Sequence, residues 1–356
     1  MSLQTIRGTL FDLDECGNSE IFLWVITTTG LQRLWHPFRY CVYVAGVRDE
    51  LIRLSQELHS EGMISSVAWR ERTELYSGAL LNVLELHVRD YAALPRLRQR
   101  AEALRRRITF YNLDLSPAQY YFYHTGLFPL CEFEARVNAA GVVQQVRALS
   151  SPWDCDYRVP AFRVMKLHGE LLRPLRDRSR IILECAGQKL SLRYGDGAAV
   201  ITAFNQFVST HDPDLIQSFL GDAIIFPALL ALARKHKLEL KPDRDGLPTR
   251  RRIITEGRSF FSYGQILYKD PAYPLHGRWH IDLKNSVTVG TSGLEGVIEL
   301  ARVGRLPVQR AARSSPGTAM TSMQMCQAVQ DGILIPWQKS RPETWKTALE
   351  LLTVDK

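Results

Sequence analysis

The chain of 356 residues lacks the features that would place it in a membrane or outside the cell. No stretch reaches the roughly 18 apolar residues of a membrane-spanning helix, so we expect no membrane partner. The first residues carry no basic segment followed by an apolar run, and a signal peptide is therefore not expected. The predicted location is the cytoplasm.

Cysteine is scarce, and no CxxC pair occurs, so neither a zinc site nor a disulfide framework is expected. We predict reduced and mostly buried thiols. An HExxH motif, a phosphate-binding loop, a GxGxxG motif and a GxSxG nucleophile turn are also absent. These absences leave no motif for a zinc protease, a nucleotide-binding enzyme or a serine hydrolase. The six cysteines are Cys16, Cys41, Cys131, Cys155, Cys185 and Cys326.

Basic residues exceed acidic ones, with a formal net charge of +8 and a pI near 9.2. A positive balance favours polyanionic partners through phosphate contacts and counterion release. The arginines occur in clusters, which we interpret as candidate phosphate contacts; the alternative for any one of them is a solvated surface charge. The candidate nucleic-acid-binding residues are Arg250, Arg251, Arg252, Arg310 and Arg313.

The length suits two to three domains, and the first is predicted over residues 1–150. Residues 6–44 alternate apolar and polar residues, which indicates a β-meander. From about 39 to 115 the pattern is strand–helix–strand–strand–helix–strand, the split βαβ of the ferredoxin-like fold. RNA-recognition modules share this order, but Tyr40 and Tyr43 do not form their aromatic signature.

A second domain is predicted over residues 151–326. Three strands, a helix, a strand and a helix follow one another there, which favours a ribonuclease-H-like α/β layer. The whole chain is thus predicted to be α/β (α+β). Residues 327–356 contain an apolar ILIPW run that needs a surface to bury it. We expect this return segment to pack on residues 1–150.

Four regions of the chain resemble family B DNA polymerases of the archaeal and bacterial type. TIRGTLFDLDE, with LWVITTTG and RYCVYVAG, is similar to their opening strands, and DLSPAQYYFYHTGLFPLCEFE to their link into the exonuclease domain. HDPDLIQSFLGDAIIFPALLALARKH resembles their second exonuclease motif region. ARSSPGTAMTSMQMCQAVQDGILIPWQK is similar to the segment that returns to the N-terminal domain.

The resemblance implies a fragment of a DNA-directed DNA polymerase. Its implied partners are primer–template DNA and the palm, fingers and thumb domains that would follow the chain, whose sequence stops at TVDK. Neither a DTD-like nor an SxYPS-like polymerase motif is present. No cofactor is therefore expected in this chain, and magnesium is expected only in the missing polymerase domain.

The resemblance also implies a 3′–5′ exonuclease site that has lost its ligands. Such sites use two divalent metals held by carboxylates, and magnesium requires hard oxygen ligands. The Asp-x-Glu motif aligns with His168 and Glu170, so the Asp position holds an imidazole. We therefore expect no metal and no catalytic residue here. The degenerate positions are His168, Glu170, Leu220, Ile225, Val289 and Gly293.

We expect the fragment to bind primer–template DNA for replication or repair without trimming it. One alternative is an active metal-dependent 3′–5′ exonuclease with rearranged ligands from Glu170, Asp212, Asp214 or Asp222. Another is a protein-interaction scaffold in a repair complex, in which the inactive domain binds a partner.

Overall fold

The computed structural model describes residues 3–170, 177–244, 258–262, 265–269 and 271–337. It divides into two compact units: one comprises residues up to Ser151 and from Met320 onward, and the other comprises Pro152–Ala319. The mixed α/β fold class predicted from the sequence is confirmed. Within the described ranges, no helix has the length and apolar character needed to cross a membrane.

Both units contain helices and strands. The first unit contains β1 (Gln4–Cys16), β2 (Glu20–Thr27), β3 (Gly30–Pro37), β4 (Cys41–Ala45), α1 (Arg48–Ser60), β5 (Ile64–Glu74), β6 (Leu80–Val88), α2 (Leu94–Leu104), β7 (Thr109–Tyr111), α3 (Pro117–Thr125), β8 (Glu132–Val137) and β9 (Val143–Ala148). The second unit contains β10 (Val164–Glu170), β11 (Arg180–Cys185), β12 (Gln188–Arg193), α4 (Ala198–His211), β13 (Leu215–Ser218), a π-helical turn (Gly221–Ile225), α5 (Phe226–Lys235), β14 (Arg258–Ser262), β15 (Gln265–Lys269), β16 (Trp279–Asp282), α6 (Val289–Gly304) and α7 (Val308–Ala312). Helix α8 (Pro316–Gln330) begins in the second unit and continues into the first, which also contains β17 (Ile333–Leu334).

The first unit begins with the predicted meander. Its five-stranded sheet has the order β3-β2-β1-β8-β9, and every neighbouring pair is antiparallel. Strands β1 and β2 pair closely because Gly8 has no side chain: a Cβ there would lie 2.4 Å from the Ile26 carbonyl oxygen. From Leu10 to Asp14 every residue of β1 is buried, so this part of the strand is covered on both faces.

The ferredoxin-like unit forms a second sheet in the order β17-β5-β6-β4-β7. Apart from the β17–β5 pair, the neighbouring strands of this sheet are antiparallel. Helices α1 and α2 bury their apolar stripes in the core, since apolar residues recur there at helical spacing. The buried residues are Leu51, Leu54 and Leu58 on α1 and Leu94, Leu97 and Ala101 on α2.

The return segment adds an edge strand to this sheet. Strand β17 runs parallel to β5, with Leu334 opposite Glu74. The Asn112 backbone N–H donates to the Ile335 carbonyl at 2.9 Å, and Asn112 Oδ1 accepts from the Ile335 N–H at 3.0 Å. Residues 333–337 therefore pack within the first unit. Residues 338–356 lie outside the described ranges.

Leu334 is the apolar anchor of this segment. Its side chain is 1% exposed and packs in a cluster with Tyr43, Val83 and Tyr111. Burying a leucine removes its apolar surface from water and stabilises the fold. The attachment of the return segment therefore depends on packing as well as on backbone hydrogen bonds.

The second unit has a mixed five-stranded sheet in the order β12-β11-β10-β13-β16. Strands β10, β11 and β12 are antiparallel, whereas β13 and β16 run parallel to β10. The β11–β12 hairpin turns at Ala186 and Gly187, which both have positive φ. The observed element order matches the three strands, helix, strand and helix that the sequence predicts.

We predict that Leu334→Ala lowers the free energy of unfolding by about 2–5 kcal/mol, because it leaves a cavity under the return segment. Leu80→Ala is the matched control, since Leu80 is 66% exposed, and it should cost under about 0.5 kcal/mol. Urea denaturation of the full chain measures both values. Equal losses in the two variants would contradict the anchoring role of Leu334.

Candidate functional site

The candidate site lies at one edge of the sheet in the second unit. Strands β10, β13 and β16 are parallel, so their carboxyl ends, at Glu170, Ser218 and Asp282, lie at the same edge. In open α/β sheets, ligands bind outside the carboxyl ends of the strands. Four of the degenerate positions, His168, Glu170, Leu220 and Ile225, fall at or just after two of these ends.

His168 and Glu170 lie on the same face of β10, two residues apart. The His168 Nε2 atom is 3.6 Å from Glu184 Oε1, and Lys189 Nζ is 2.9 Å from the same oxygen. The hydrogen bond from Lys189 is the main reason that the pKa of Glu184 lies below its ordinary value. Glu170 is exposed and aligns with Arg180 on β11. This mixed-charge surface is a poor ligand set for magnesium.

The chain leaves β13 through a constrained turn. Leu220 has a φ of 63°, in the left-handed region, and the π-helical turn follows directly. A Cβ at Gly221 would lie 2.1 Å from a side-chain oxygen of β13. The Asp282 carboxylate accepts hydrogen bonds from the backbone N–H groups of Leu220 at 3.1 Å and Asp222 at 2.9 Å. Asp282 therefore holds the turn in place.

Ile225 ends the π-helical turn and is completely buried. It belongs to an apolar core cluster that includes Leu167 and Phe226. A carboxylate at this position would lose its hydration without gaining a polar partner from these neighbours. The residue therefore contributes packing to the second unit.

Val289 and Gly293 lie on α6, and neither offers a ligand. Val289 begins the helix, and Gly293 interrupts it with a φ of 63° and a ψ of −166°. The acidic residues farther along this helix are Glu295 and Glu299, and Glu299 accepts a hydrogen bond from the Tyr157 hydroxyl at 2.8 Å. The two degenerate positions on α6 thus carry no carboxylate.

Asp222 is the most enclosed acid at this edge, with a fully buried side chain. Its Oδ2 atom accepts hydrogen bonds from Arg313 Nη2 at 2.7 Å, Arg313 Nε at 3.1 Å and Asn285 Nδ2 at 2.9 Å. Its Oδ1 atom accepts from the Tyr273 backbone N–H at 2.8 Å, and His280 Nδ1 lies 3.5 Å away. These donors leave the carboxylate no free direction for a metal ion.

The charge state of Asp222 follows from these neighbours. Burial acts to raise its pKa, but His280 and Arg313, with the hydrogen bond from Asn285, outweigh burial, so the pKa lies below its ordinary value. The pKa of Asp282 moves the other way: burial raises it, and the nearby Asp222 adds to the rise against several backbone hydrogen bonds. The pKa values of these two acids thus shift in opposite directions because, among the described residues, the cations His280 and Arg313 lie beside Asp222.

Sequence reasoning missed the polar groups of β16. The His280 Nε2 atom lies 2.8 Å from Ser218 Oγ, and its Nδ1 atom lies 2.8 Å from the Tyr273 carbonyl oxygen. Gln309 Oε1 accepts hydrogen bonds from the backbone N–H groups of Leu275 and His280, each at 2.8 Å. The signal in the sequence is the Trp-His-Ile-Asp run, in which polar residues occur within a fully buried strand.

The alternative ligand set does not come together. Asp212 and Asp214 precede β13, whereas Asp222 follows it, so they lie at opposite ends of the strand. Asp212 Oδ1 lies 2.9 Å from Arg244 Nε and 3.0 Å from Arg278 Nη2, and Asp214 Oδ1 lies 2.9 Å from Arg244 Nη2. Asp212 and Asp214 thus form ion pairs with arginines just before β13 begins. These contacts give the two acids a structural role.

The predicted arginines have different outcomes. Arg250, Arg251 and Arg252 lie outside the described residues. Arg310, on α7, is exposed and remains a candidate phosphate contact. Arg313 requires a correction, because it is 7% exposed and its guanidinium pairs with Asp222 inside the unit. Its basic sequence context predicted a phosphate contact, with a solvated surface charge as the alternative, but a buried carboxylate binds it.

The fold is similar to that of the family B DNA polymerase from the hyperthermophilic archaeon Pyrobaculum calidifontis. The TM-score is 0.66 with 17% sequence identity, and the match covers 94% of this chain and 52% of the polymerase chain. The chain thus spans about half the length of that structure. At this identity the likeness concerns the fold. Searches of family models and of curated proteins found no match.

We predict that Arg313→Met lowers the free energy of unfolding by about 3–5 kcal/mol, because it leaves the buried Asp222 carboxylate without its cation. Asp222 has a lowered pKa in the folded state, so this contribution is present above its unfolded value of about 3.9 and is lost as pH falls through the folded value. The difference between the variant and the original chain should therefore shrink in acid. Urea denaturation across pH measures it.

Arg310→Met is the matched control, because the same change at an exposed arginine of the same segment should cost under about 0.5 kcal/mol. A loss in Arg313→Met that is no larger than in Arg310→Met would contradict the importance of the buried pair.

Proposed function

We propose that the chain is the DNA-binding front part of a family B DNA polymerase, and that its second unit binds DNA without hydrolysing it. The fold likeness over 94% of the chain supports the relationship to a polymerase. Primer–template DNA is the proposed partner. Palm, fingers and thumb domains, which would supply the magnesium site, are proposed to complete the protein.

The hydrogen bonds that Asp222 accepts are the main support for the proposal that the second unit does not hydrolyse DNA. Hydrolysis by two metals needs several carboxylates with free oxygen atoms on one surface. Among the described residues at the edge of β10, β13 and β16, the Asp222 carboxylate accepts hydrogen bonds from Arg313 and Asn285. The Asp282 carboxylate accepts hydrogen bonds from backbone N–H groups. Glu170 remains exposed, with His168 beside it in place of a second acid.

The positive charge of the chain supports the proposal that it binds DNA. The net charge of +8 attracts a polyanion over long range. Arg310 presents an exposed guanidinium on α7, and the Arg250–Arg252 run adds three cations to the same unit in the sequence. Phosphate contacts of this kind give affinity without base specificity.

A second candidate function is a protein-interaction scaffold, which exposed apolar residues at the strand ends favour. Phe219, Leu283 and Val287 are 50%, 39% and 55% exposed, and they follow β13 and β16. Apolar side chains grouped on a surface often mark partner sites. Pull-down from source-cell extract with and without nuclease treatment separates the two candidates, since a partner held through DNA is lost after the treatment.

We predict weak DNA binding with a strong dependence on salt. If about three phosphates are neutralised, log affinity should fall against log salt with a slope of roughly −2 to −3. Fluorescence anisotropy with a labelled primer–template duplex across a salt series measures the slope. Arg310→Gln should reduce the slope by about 1, the contribution of one phosphate contact.

Arg193→Gln is the control for this measurement. It makes the same charge change in the same unit, at an arginine of β12 that is not among the predicted phosphate contacts. Binding that is insensitive to salt, or equal effects of the two variants, would contradict the proposed role of Arg310.

We predict that the chain does not shorten the 3′ end of a labelled primer in magnesium or manganese. A single exposed carboxylate beside an imidazole cannot hold two metals, so Glu170→Gln should behave like the original chain. Gel analysis of the labelled strand, with a chelator lane as the reference, is the measurement. Shortening in manganese that both the chelator and Glu170→Gln abolish would show an active nuclease and overturn this part of the proposal.

A further inference from the structure

Three metal-ligating residues of different types meet on one face of the ferredoxin-like sheet. Cys41 on β4 lies directly opposite His87 on β6, and Tyr43 lies opposite Glu85. Residues two apart on a strand point to the same face, so Cys41, Glu85 and His87 share a face. Cys41 lies 44 residues before Glu85 and 46 before His87 in sequence, and the pairing of β4 with β6 brings it beside them.

The ligand atoms are within reach of a single ion. One atom from each of Cys41, Glu85 and His87 lies within 4.8 Å of the other two. His87 Nε2 lies 2.7 Å from Glu85 Oε1. The ligand atoms of a tetrahedral zinc site are about 3.3–3.8 Å apart, given ligand bonds of about 2.0–2.3 Å. Small rotations of these side chains would bring the three ligand atoms to that separation.

The imidazole of His87 has an unused nitrogen. Among the described residues, no hydrogen-bond partner exists for its buried Nδ1 atom. A buried polar atom without a partner is costly, and such atoms in native proteins require an explanation. A bound ion at Nδ1 would satisfy this atom directly, because the metal takes the lone pair of that nitrogen.

We propose that Cys41, Glu85 and His87 bind a zinc ion. A thiolate, an imidazole and a carboxylate are ligands that zinc accepts together, whereas magnesium avoids sulfur. Three protein ligands leave a fourth position for water. Binding replaces the thiol proton: the Cys41 S–H bond breaks, a sulfur–zinc bond forms, and the proton goes to solvent.

The surroundings are compatible with a partly shielded ion. Glu85 is 7% exposed and the His87 side chain is 18% exposed, so the site is covered but open to entry. Arg70 Nε lies 3.2 Å from Glu85 Oε2, the oxygen that does not contact His87. Burial raises the pKa of the Cys41 thiol to about 12, and the Glu85 carboxylate adds to the rise. A cation beside both groups would reverse that effect.

A bound ion would join β4 to β6 near the return segment. Cys41 packs against the cluster formed by Tyr43, Val83, Tyr111 and Leu334. Ligation at this point would therefore stabilise the sheet on which β17 is paired. Because zinc binds the folded sheet and not the unfolded chain, it should raise the melting temperature of the protein.

The test uses the full chain, purified, stripped with a chelator and titrated with Co²⁺ as a spectroscopic substitute for Zn²⁺. We expect about one Co²⁺ per chain, with a thiolate-to-cobalt charge-transfer band and the intense visible bands of a tetrahedral site. Added Zn²⁺ should displace Co²⁺ and bleach both sets of bands. Because these signals come from the unaltered chain, they do not depend on whether a variant folds.

Variants then assign the ligands. Cys41→Ser and His87→Gln should each weaken Zn²⁺ binding by at least about tenfold, the loss seen when even outer-shell partners of a metal are removed. Cys155→Ser and His59→Gln are the matched controls, because both residues are exposed and lie outside the cluster. They should bind like the original chain, and circular dichroism checks that each variant is folded.

The proposal is overturned if Co²⁺ produces no charge-transfer band in the original chain. It is also overturned if Cys155→Ser loses the band and Cys41→Ser keeps it, since the thiolate would then come from elsewhere. This outcome is independent of DNA binding and of nuclease activity, so it leaves the proposed function to its own tests.

Discussion

The buried carboxylate of Asp222 draws several segments of the second unit together. Its donors come from separate segments: Tyr273 precedes β16, Asn285 follows it, and Arg313 follows α7. An ion removed from water is tolerated only when paired and hydrogen-bonded. These segments must therefore converge whenever the unit folds, and together with Asp282 they define the edge at the ends of β10, β13 and β16. The same contacts occupy an acid that the alternative hypothesis of an active nuclease would use as a metal ligand.

The fold could be predicted because the local order of apolar and polar residues indicates which face of a strand or helix is buried. Alternating residues in the meander and the spacing of Leu51, Leu54 and Leu58 indicate which face is apolar, and the βαββαβ order follows from such faces. The site could be predicted only in part. His168 and Ile225 offer no carboxylate in any structure, whereas the role of Arg313 depends on a partner 91 residues away. An arginine in a basic segment indicates a surface charge until the residue packed against it is known.

Strand pairing and register explain the other spatial relationships that the sequence did not predict. The spacing of the cysteines indicates no zinc site, but spacing describes only ligands that are close in sequence. Cys41 meets His87 because β4 pairs with β6 in one particular register, and a shift by one residue would place them on opposite faces. Asp212 and Asp222 show the converse: ten residues apart in sequence, they lie at opposite ends of β13. Neither the composition nor the apolar pattern of the sequence indicates that Cys41 and His87 meet or that Asp212 and Asp222 lie apart.

The pairing of β17 with β5 has a consequence for synthesis. Thr73 and Glu74 leave the ribosome early, but Ile333 and Leu334, which complete their edge of the sheet, follow only after the whole second unit. At bacterial or eukaryotic elongation rates, the delay is on the order of ten seconds to one minute. During that time the edge of β5 presents unpaired backbone groups, the kind of template that captures other strands. A nascent chain of this topology is therefore a natural client for chaperones that shield strand edges.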